Sequence, residues 1–112
     1  YNYGNIERDF TYIDDVVNGI KSSIEKNYCN EIFNLGNSKK EKVLDLINII
    51  EKKLGKKADI VYKPLKPGDV ISTNADISKS SKMLGYAPST NIDRGLETFI
   101  KWYAKYKKVR LH

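Results

Sequence analysis

Arg8-Asp9-Phe10-Thr11-Tyr12-Ile13-Asp14-Asp15-Val16 joins one arginine, a short run of aromatic and β-branched residues, and two adjacent carboxylates at the point where an apolar helical period begins. By propensity, residues 8–13 read as a strand and Tyr12 as a strand residue. Asp14 or Asp15 then suits the N-cap of a helix running to about Lys26, with Val16, Val17, Ile20 and Ile24 on one face. The helix start accounts for both carboxylates without a catalytic acid pair.

Upstream, residues 1–5 read as a short strand closed by a Gly4-Asn5 turn. Downstream, residues 31–35 are a compact strand candidate ended by Gly36-Asn37. Ser38 and Glu41 have capping-box spacing ahead of a helix that carries Val43, Leu46, Ile47, Ile50 and Leu54 on one face and stops at Gly55. Residues 59–62 suggest a third strand, and Pro64, Pro67 and Gly68 then impose a stiff loop. A short helix spans 78–84 before Gly85, Pro88 makes a turn, and Thr90 with Asp93 opens a last helix. Its apolar stripe is Ile92, Leu96, Phe99, Ile100 and Tyr103. These elements predict an α/β fold of about four helices and a few short strands, with no internal repeat and no interdomain linker.

At 112 residues the chain suffices for one domain with a modest core and is too short for separate cofactor and substrate domains. It opens on Tyr1 within a strand-like segment, so a portion of a longer protein is expected. The formal net charge of +6 raises the question of a polyanionic partner. The lysines are spread over several elements on polar helix sides, as on an ordinary solvated surface, and nucleic acid is set aside on that ground. Cys29 is alone and His112 is the single histidine, so neither a disulfide nor a metal cluster is expected within the chain. No apolar run approaches a membrane span, and a reducing, cytoplasmic setting is the expectation.

The chemistry is bounded by what is missing. The nearest glycines, Gly85 and Gly95, are ten residues apart, which excludes a dinucleotide fingerprint and a P-loop. Without an internal histidine no Ser-His or Cys-His nucleophile can be assembled. Tyr103 and Lys107 have Tyr-x-x-x-Lys spacing, but Tyr103 lies on the apolar stripe with Phe99 and Ile100 and reads as a core or half-buried packing residue. Two positive features remain, Arg8 and the loop Lys66-Pro67-Gly68-Asp69. An arginine fixed on a strand can hold a phosphate by paired hydrogen bonds, and a rigid loop with Lys66 and Asp69 can meet a second phosphate and a sugar hydroxyl. The alternative is that Arg8 pairs with Asp9 or Asp14 and the loop is a charged surface turn.

The opening stretch closely resembles the Arg-Asp-Phe-x-Tyr-x-x-Asp segment of extended short-chain dehydrogenases that modify nucleotide sugars. Ile32-Phe33-Asn34-Leu35-Gly36-Asn37, Pro67-Gly68-Asp69-Val70, and Ala75-Asp76 leading to Leu84-Gly85-Tyr86 agree with that family in order and spacing. The Lys66 to Val70 loop looks most like the UDP-glucuronate 4-epimerase branch. The resemblance covers nearly all of this chain and about the last third of such an enzyme. It implies that residues 1–112 are the C-terminal, substrate-binding portion of an NAD-dependent nucleotide-sugar epimerase or dehydratase. The N-terminal Rossmann domain, which binds NAD and carries the catalytic residues in the parent enzyme, lies outside it, so the portion alone is expected to be inactive and to hold no cofactor. By position, Arg8 resembles the arginine that grips the UDP diphosphate, and Asp69 the acid that reaches the ribose. Lys66 stands where many relatives have a second phosphate-binding arginine, and it keeps the charge without the bidentate fork. Such a portion exposes an apolar face able to drive a dimer. The rival reading is a small basic binding module existing by itself, with nucleic acid as its ligand.

Overall fold

The computed structural model describes residues 1–108, and the strand-to-helix junction in the opening stretch is its pivot. Strand β1 (Glu7–Asp9) pairs antiparallel with β2 (Lys40–Lys42), Glu7 opposite Lys42 and Asp9 opposite Lys40. On the other edge of β1 the chain returns at 71–73 in parallel: the Glu7 amide donates to the Ile71 carbonyl at 2.9 Å and the Thr73 amide to the Glu7 carbonyl at 3.3 Å. Four helices complete a small α/β unit: α1 (Ile13–Lys26), α2 (Val43–Leu54), α3 (Ser78–Leu84) and α4 (Ile92–Lys107).

Helix α3 matches its predicted span, and α2 and α3 end at Gly55 and Gly85, both left-handed, with φ of 62° and 69°. Glycine adopts that conformation without the Cβ clash other residues incur. Elsewhere tertiary structure overrides local signals. Residues 1–5 form a 3-10 turn (Asn2–Gly4) instead of a strand, because Asn2, Tyr3 and Gly4 all have positive φ. Strand pairing over 8–13 is confined to β1. Residues 31–35 and 59–62 form no strand, since propensity prepares a segment for a ladder and no ladder partner is present among the described residues.

The capping predictions also change. Ser38 has φ of 55°, outside the extended region an N-cap requires, and residues 40–42 are drawn into β2, so α2 starts only at Val43. Helix α4 is capped by Asn91, whose side-chain oxygen accepts from the Arg94 amide at 2.9 Å, while Asp93 pairs instead with Lys53 of α2 at 3.1 Å. At α1, Tyr12 is the N-cap residue and neither Asp14 nor Asp15 caps the helix.

The buried apolar residues are few: Leu84, Tyr86, Ile100 and Ala104. Gly19 lets α1 approach this core, since a Cβ there would lie 2.6 Å from Leu35 and 2.9 Å from Tyr86. Consequently α1 buries Asp15 and Gly19, and its aliphatic residues Ile13, Val17, Ile20 and Ile24 face outward, 47–72% exposed. Helix α4 likewise buries Ile100 and Ala104 and leaves Phe99, Trp102, Tyr103 and Tyr106 outside. Tyr103, expected as a core or half-buried packing residue, is 46% exposed and stacks on Phe99 at 6.1 Å. Among the described residues no helix is long and apolar enough to cross a membrane.

Candidate functional site

Side chains alternate across a strand, so Arg8 and Asp9 leave β1 on opposite faces. Arg8 Nη1 donates to the Glu7 carbonyl at 2.8 Å and to the Ile71 carbonyl at 3.2 Å. Among the described residues it forms no ion pair, which removes the alternative that it is consumed by Asp9 or Asp14. One edge of the guanidinium is thereby anchored, and its planar fork keeps further donors for an anion.

The anchor lies two residues beyond the Lys66-Pro67-Gly68-Asp69 loop. There Pro67 occupies the second position of a tight turn, Gly68 follows with φ of 87°, and the Asp69 amide donates to the Lys66 carbonyl at 3.1 Å. This is type II turn geometry, in which the third position needs positive φ. The Lys66 ammonium lies 4.4 Å from the centre of the Tyr1 ring, a cation–π contact. Tyr1, as hydrogen-bond partner and then through charge, raises the Lys66 pKa above the usual lysine value, so the group is cationic throughout the neutral range. Both Lys66 and Asp69 are exposed. Arg8 is thus fastened to the segment that continues from this turn, with the two charged turn residues at its outer end.

What fastens them was not anticipated. Asp9 Oδ1 accepts from the Asn37 amide at 3.0 Å, and Asp9 Oδ2 accepts from the amides of Ser38 and Ala75, both at 2.9 Å. The Asp9 amide donates to Thr73 Oγ1 at 3.2 Å. One carboxylate therefore joins β1, the 36–38 turn and the returning strand. Gly36 is required beside it, because a Cβ there would stand 2.4 Å from that of Ala75 and 2.9 Å from Asp9 Oδ2. Six residues on, buried Asp15 accepts from the amides of Ser89 at 3.2 Å and Thr90 at 3.0 Å, fixing the approach to α4. The Tyr86 hydroxyl donates to the Gly36 carbonyl at 2.9 Å, and burial, followed by the charges of Asp15 and Asp9, raises its pKa above the ordinary value of 10.0. An aspartate next to the predicted arginine was the available signal for Asp9; its partners, 28 to 66 residues away, were not readable locally.

Clefts of different character border this framework. A polar one of about 500 Å³ is lined by Asp9, Thr11, Asn34, Thr73, Asn74 and Asp76 among others. A mainly apolar one of about 270 Å³, between the Phe10 to Ile13 segment, Leu46 and α4, has no charged lining residue. Among the described residues no group of three His, Cys, Asp or Glu side chains could hold a metal; His112 lies outside the described residues. Lys21, Lys39, Lys53, Lys57, Lys79 and Lys101 each pair with a carboxylate.

The sequence model for GDP-mannose 4,6 dehydratase matches residues 1–99. An uncharacterized protein of Methanocaldococcus jannaschii is 54% identical over 96% of this chain and 33% of its own length. UDP-glucuronate 4-epimerase 4 of Arabidopsis thaliana is 38% identical over 94% of this chain and 27% of its own. The structure of UDP-glucuronic acid 4-epimerase from Bacillus cereus in complex with UDP-glucuronic acid and NAD aligns with a TM-score of 0.82 at 38% identity, covering 92% of this chain and 34% of that one. The chain spans about a third of the length of the relatives it matches, and corresponds to the C-terminal portion of such epimerase structures.

Proposed function

The chain belongs to the GDP-mannose 4,6 dehydratase family, and on that premise we propose that residues 1–112 are the UDP-sugar-binding portion of an NAD-dependent nucleotide-sugar epimerase of the UDP-glucuronate 4-epimerase kind. Arg8 grips the diphosphate, Lys66 adds a second positive charge, and Asp69 accepts from a ribose hydroxyl. The observation that carries this reading is the Arg8 guanidinium, tethered by one edge to the Glu7 and Ile71 carbonyls and free of carboxylate partners among the described residues. A half-buried arginine held this way has lost much of its side-chain freedom before any anion arrives, which lowers the entropic cost of binding.

These residues do not fit NAD. A dinucleotide cradle places successive glycines at a strand-to-helix turn, where backbone amides approach the pyrophosphate. The β1 to α1 turn of this chain carries Phe10, Thr11 and Tyr12. In this reading NAD and the catalytic tyrosine belong to a dinucleotide-binding domain outside residues 1–112. The outward apolar residues of α1 and α4 supply surface for that domain or for a dimer.

Calorimetric titration of the 112-residue chain with UDP-glucuronate tests the reading. Binding that Arg8→Ala abolishes is the expected result, with no response to NAD and no epimer formed by the chain alone. Unchanged affinity in Arg8→Ala, or conversion of the sugar by the pure chain, overturns it. Steeply salt-dependent binding to DNA or RNA without a response to UDP-sugars points to the basic-module reading instead.

A further inference from the structure

We propose that Asp9 is a positioning residue for the nucleotide site: its carboxylate sets Arg8 and the Lys66-Pro67-Gly68-Asp69 turn in register, and this inference rests on the UDP-sugar reading of that site. Arg8 and Asp9 are neighbours on β1, so whatever fixes Asp9 fixes the base of the Arg8 side chain. The turn has no regular secondary structure of its own and is exposed; beyond the Lys66 contact with Tyr1, its position depends on how the segment that follows it, 71–75, is attached. That segment is attached at both ends, and the Arg8 Nη1 bond to the Ile71 carbonyl and a Ser72 Oγ bond to Glu7 Oε2 at 3.4 Å add to the hold on its start. Backbone pairing with Glu7 holds its start, and the Asp9 residue holds its end through the Ala75 amide and the Thr73 hydroxyl. The same carboxylate binds the Asn37 and Ser38 amides, so the 71–75 segment is locked against residues 36–38 as well as against β1.

The arrangement needs an acceptor on each carboxylate oxygen. Three amide donors converge on it, two of them on Oδ2, and an asparagine offers a single acceptor oxygen. In Asp9→Asn either the Asn37 side or the Ser38 and Ala75 side would face an NH₂ group, donor against donor. The end of the 71–75 segment would then be released, while the buried apolar residues Leu84, Tyr86, Ile100 and Ala104 are left in place.

Asp15 provides the control, because it too accepts two backbone amides from a distant segment but touches nothing connected to the turn. Affinity for UDP is measured by titration in the unaltered chain, Asp9→Asn, Asp15→Asn and Thr73→Val, each at a temperature where melting shows it folded. Asp9→Asn is expected to weaken UDP by about tenfold or more, the scale on which misplacing a binding group acts. Thr73→Val, nearly isosteric and missing only the second link to Asp9, is expected to weaken it about threefold. Asp15→Asn is expected to lower the melting temperature with affinity changed less than about twofold, consistent with loss of structure alone. In nucleotide-free protein, the amide resonances of residues 66–69 should move in Asp9→Asn and stay in place in Asp15→Asn. Equal loss of affinity in the two aspartate variants, or unmoved 66–69 resonances in Asp9→Asn, overturns the inference; if Asp9→Asn does not fold, unchanged UDP affinity in Thr73→Val does so. Should the unaltered chain not bind UDP, the nucleotide reading of the site falls, and the resonances alone decide whether Asp9 positions the turn.

Discussion

Asp9 and Asp15 stand six residues apart in one short motif, and each draws backbone amides from far along the chain, yet they serve different ends. Asp15 is buried, faces the Ser89 and Thr90 amides and fixes how α4 leaves its turn. Asp9 is only partly buried, gathers three amides from two segments and sits beside an arginine with donors to spare. A carboxylate in the interior is tolerated only when its oxygens are satisfied, and both are. What separates them is the neighbour: one supports a helix, the other supports a charged edge.

Three substitutions sharpen that contrast. Asp15→Ala removes both acceptors at a buried position and leaves two amides unpaired, and a loss of roughly 3 kcal/mol in denaturant-measured stability is expected. A loss below about 1 kcal/mol would mean that water replaces the carboxylate and that Asp15 is not structural in this sense. Gly36→Ala pushes a methyl against the Ala75 side chain and Asp9 Oδ2, with an expected cost of about 2 kcal/mol and displaced amide resonances at Ala75. If Gly36→Ala is neutral, the close approach around Asp9 is looser than its distances state.

Tyr86→Phe has the smallest expected effect, about 1 kcal/mol, because it removes one hydroxyl bond to the Gly36 carbonyl and keeps the ring in place. It also carries a pH signature. The folded-state pKa of Tyr86 is raised, so the stabilisation it gives is complete below the ordinary tyrosine value of 10.0 and is lost as pH climbs from there through the folded value. Stability of the unaltered chain should therefore fall more steeply above pH 10 than that of Tyr86→Phe. Parallel alkaline limbs would show that Tyr86 does not titrate as a buried phenol.

The helices were legible because each carries its own stop signal or apolar period. Gly55 and Gly85 terminate α2 and α3 by backbone conformation, a property of the residue itself. The orientation of α1 was not legible. Its aliphatic residues marked a helix, but Gly19 and Asp15 turned the opposite side inward, since close approach to Tyr86 and pairing with the Ser89 and Thr90 amides depend on segments distant in sequence. The strand candidates at 31–35 and 59–62 failed for a related reason, because a strand exists only where a partner supplies its hydrogen bonds.

The sequence by itself determined the helix count, the glycine stops, the stiff loop around Pro67-Gly68 and the identity of the charged groups Arg8, Lys66 and Asp69, all of which follow from local chemistry. Tertiary structure decided what holds them together. Asp9 reads locally as one more acid beside an arginine, and becomes the fastening of the site only when Asn37, Ser38 and Ala75 are folded onto it, because a carboxylate's role is set by which donors reach it.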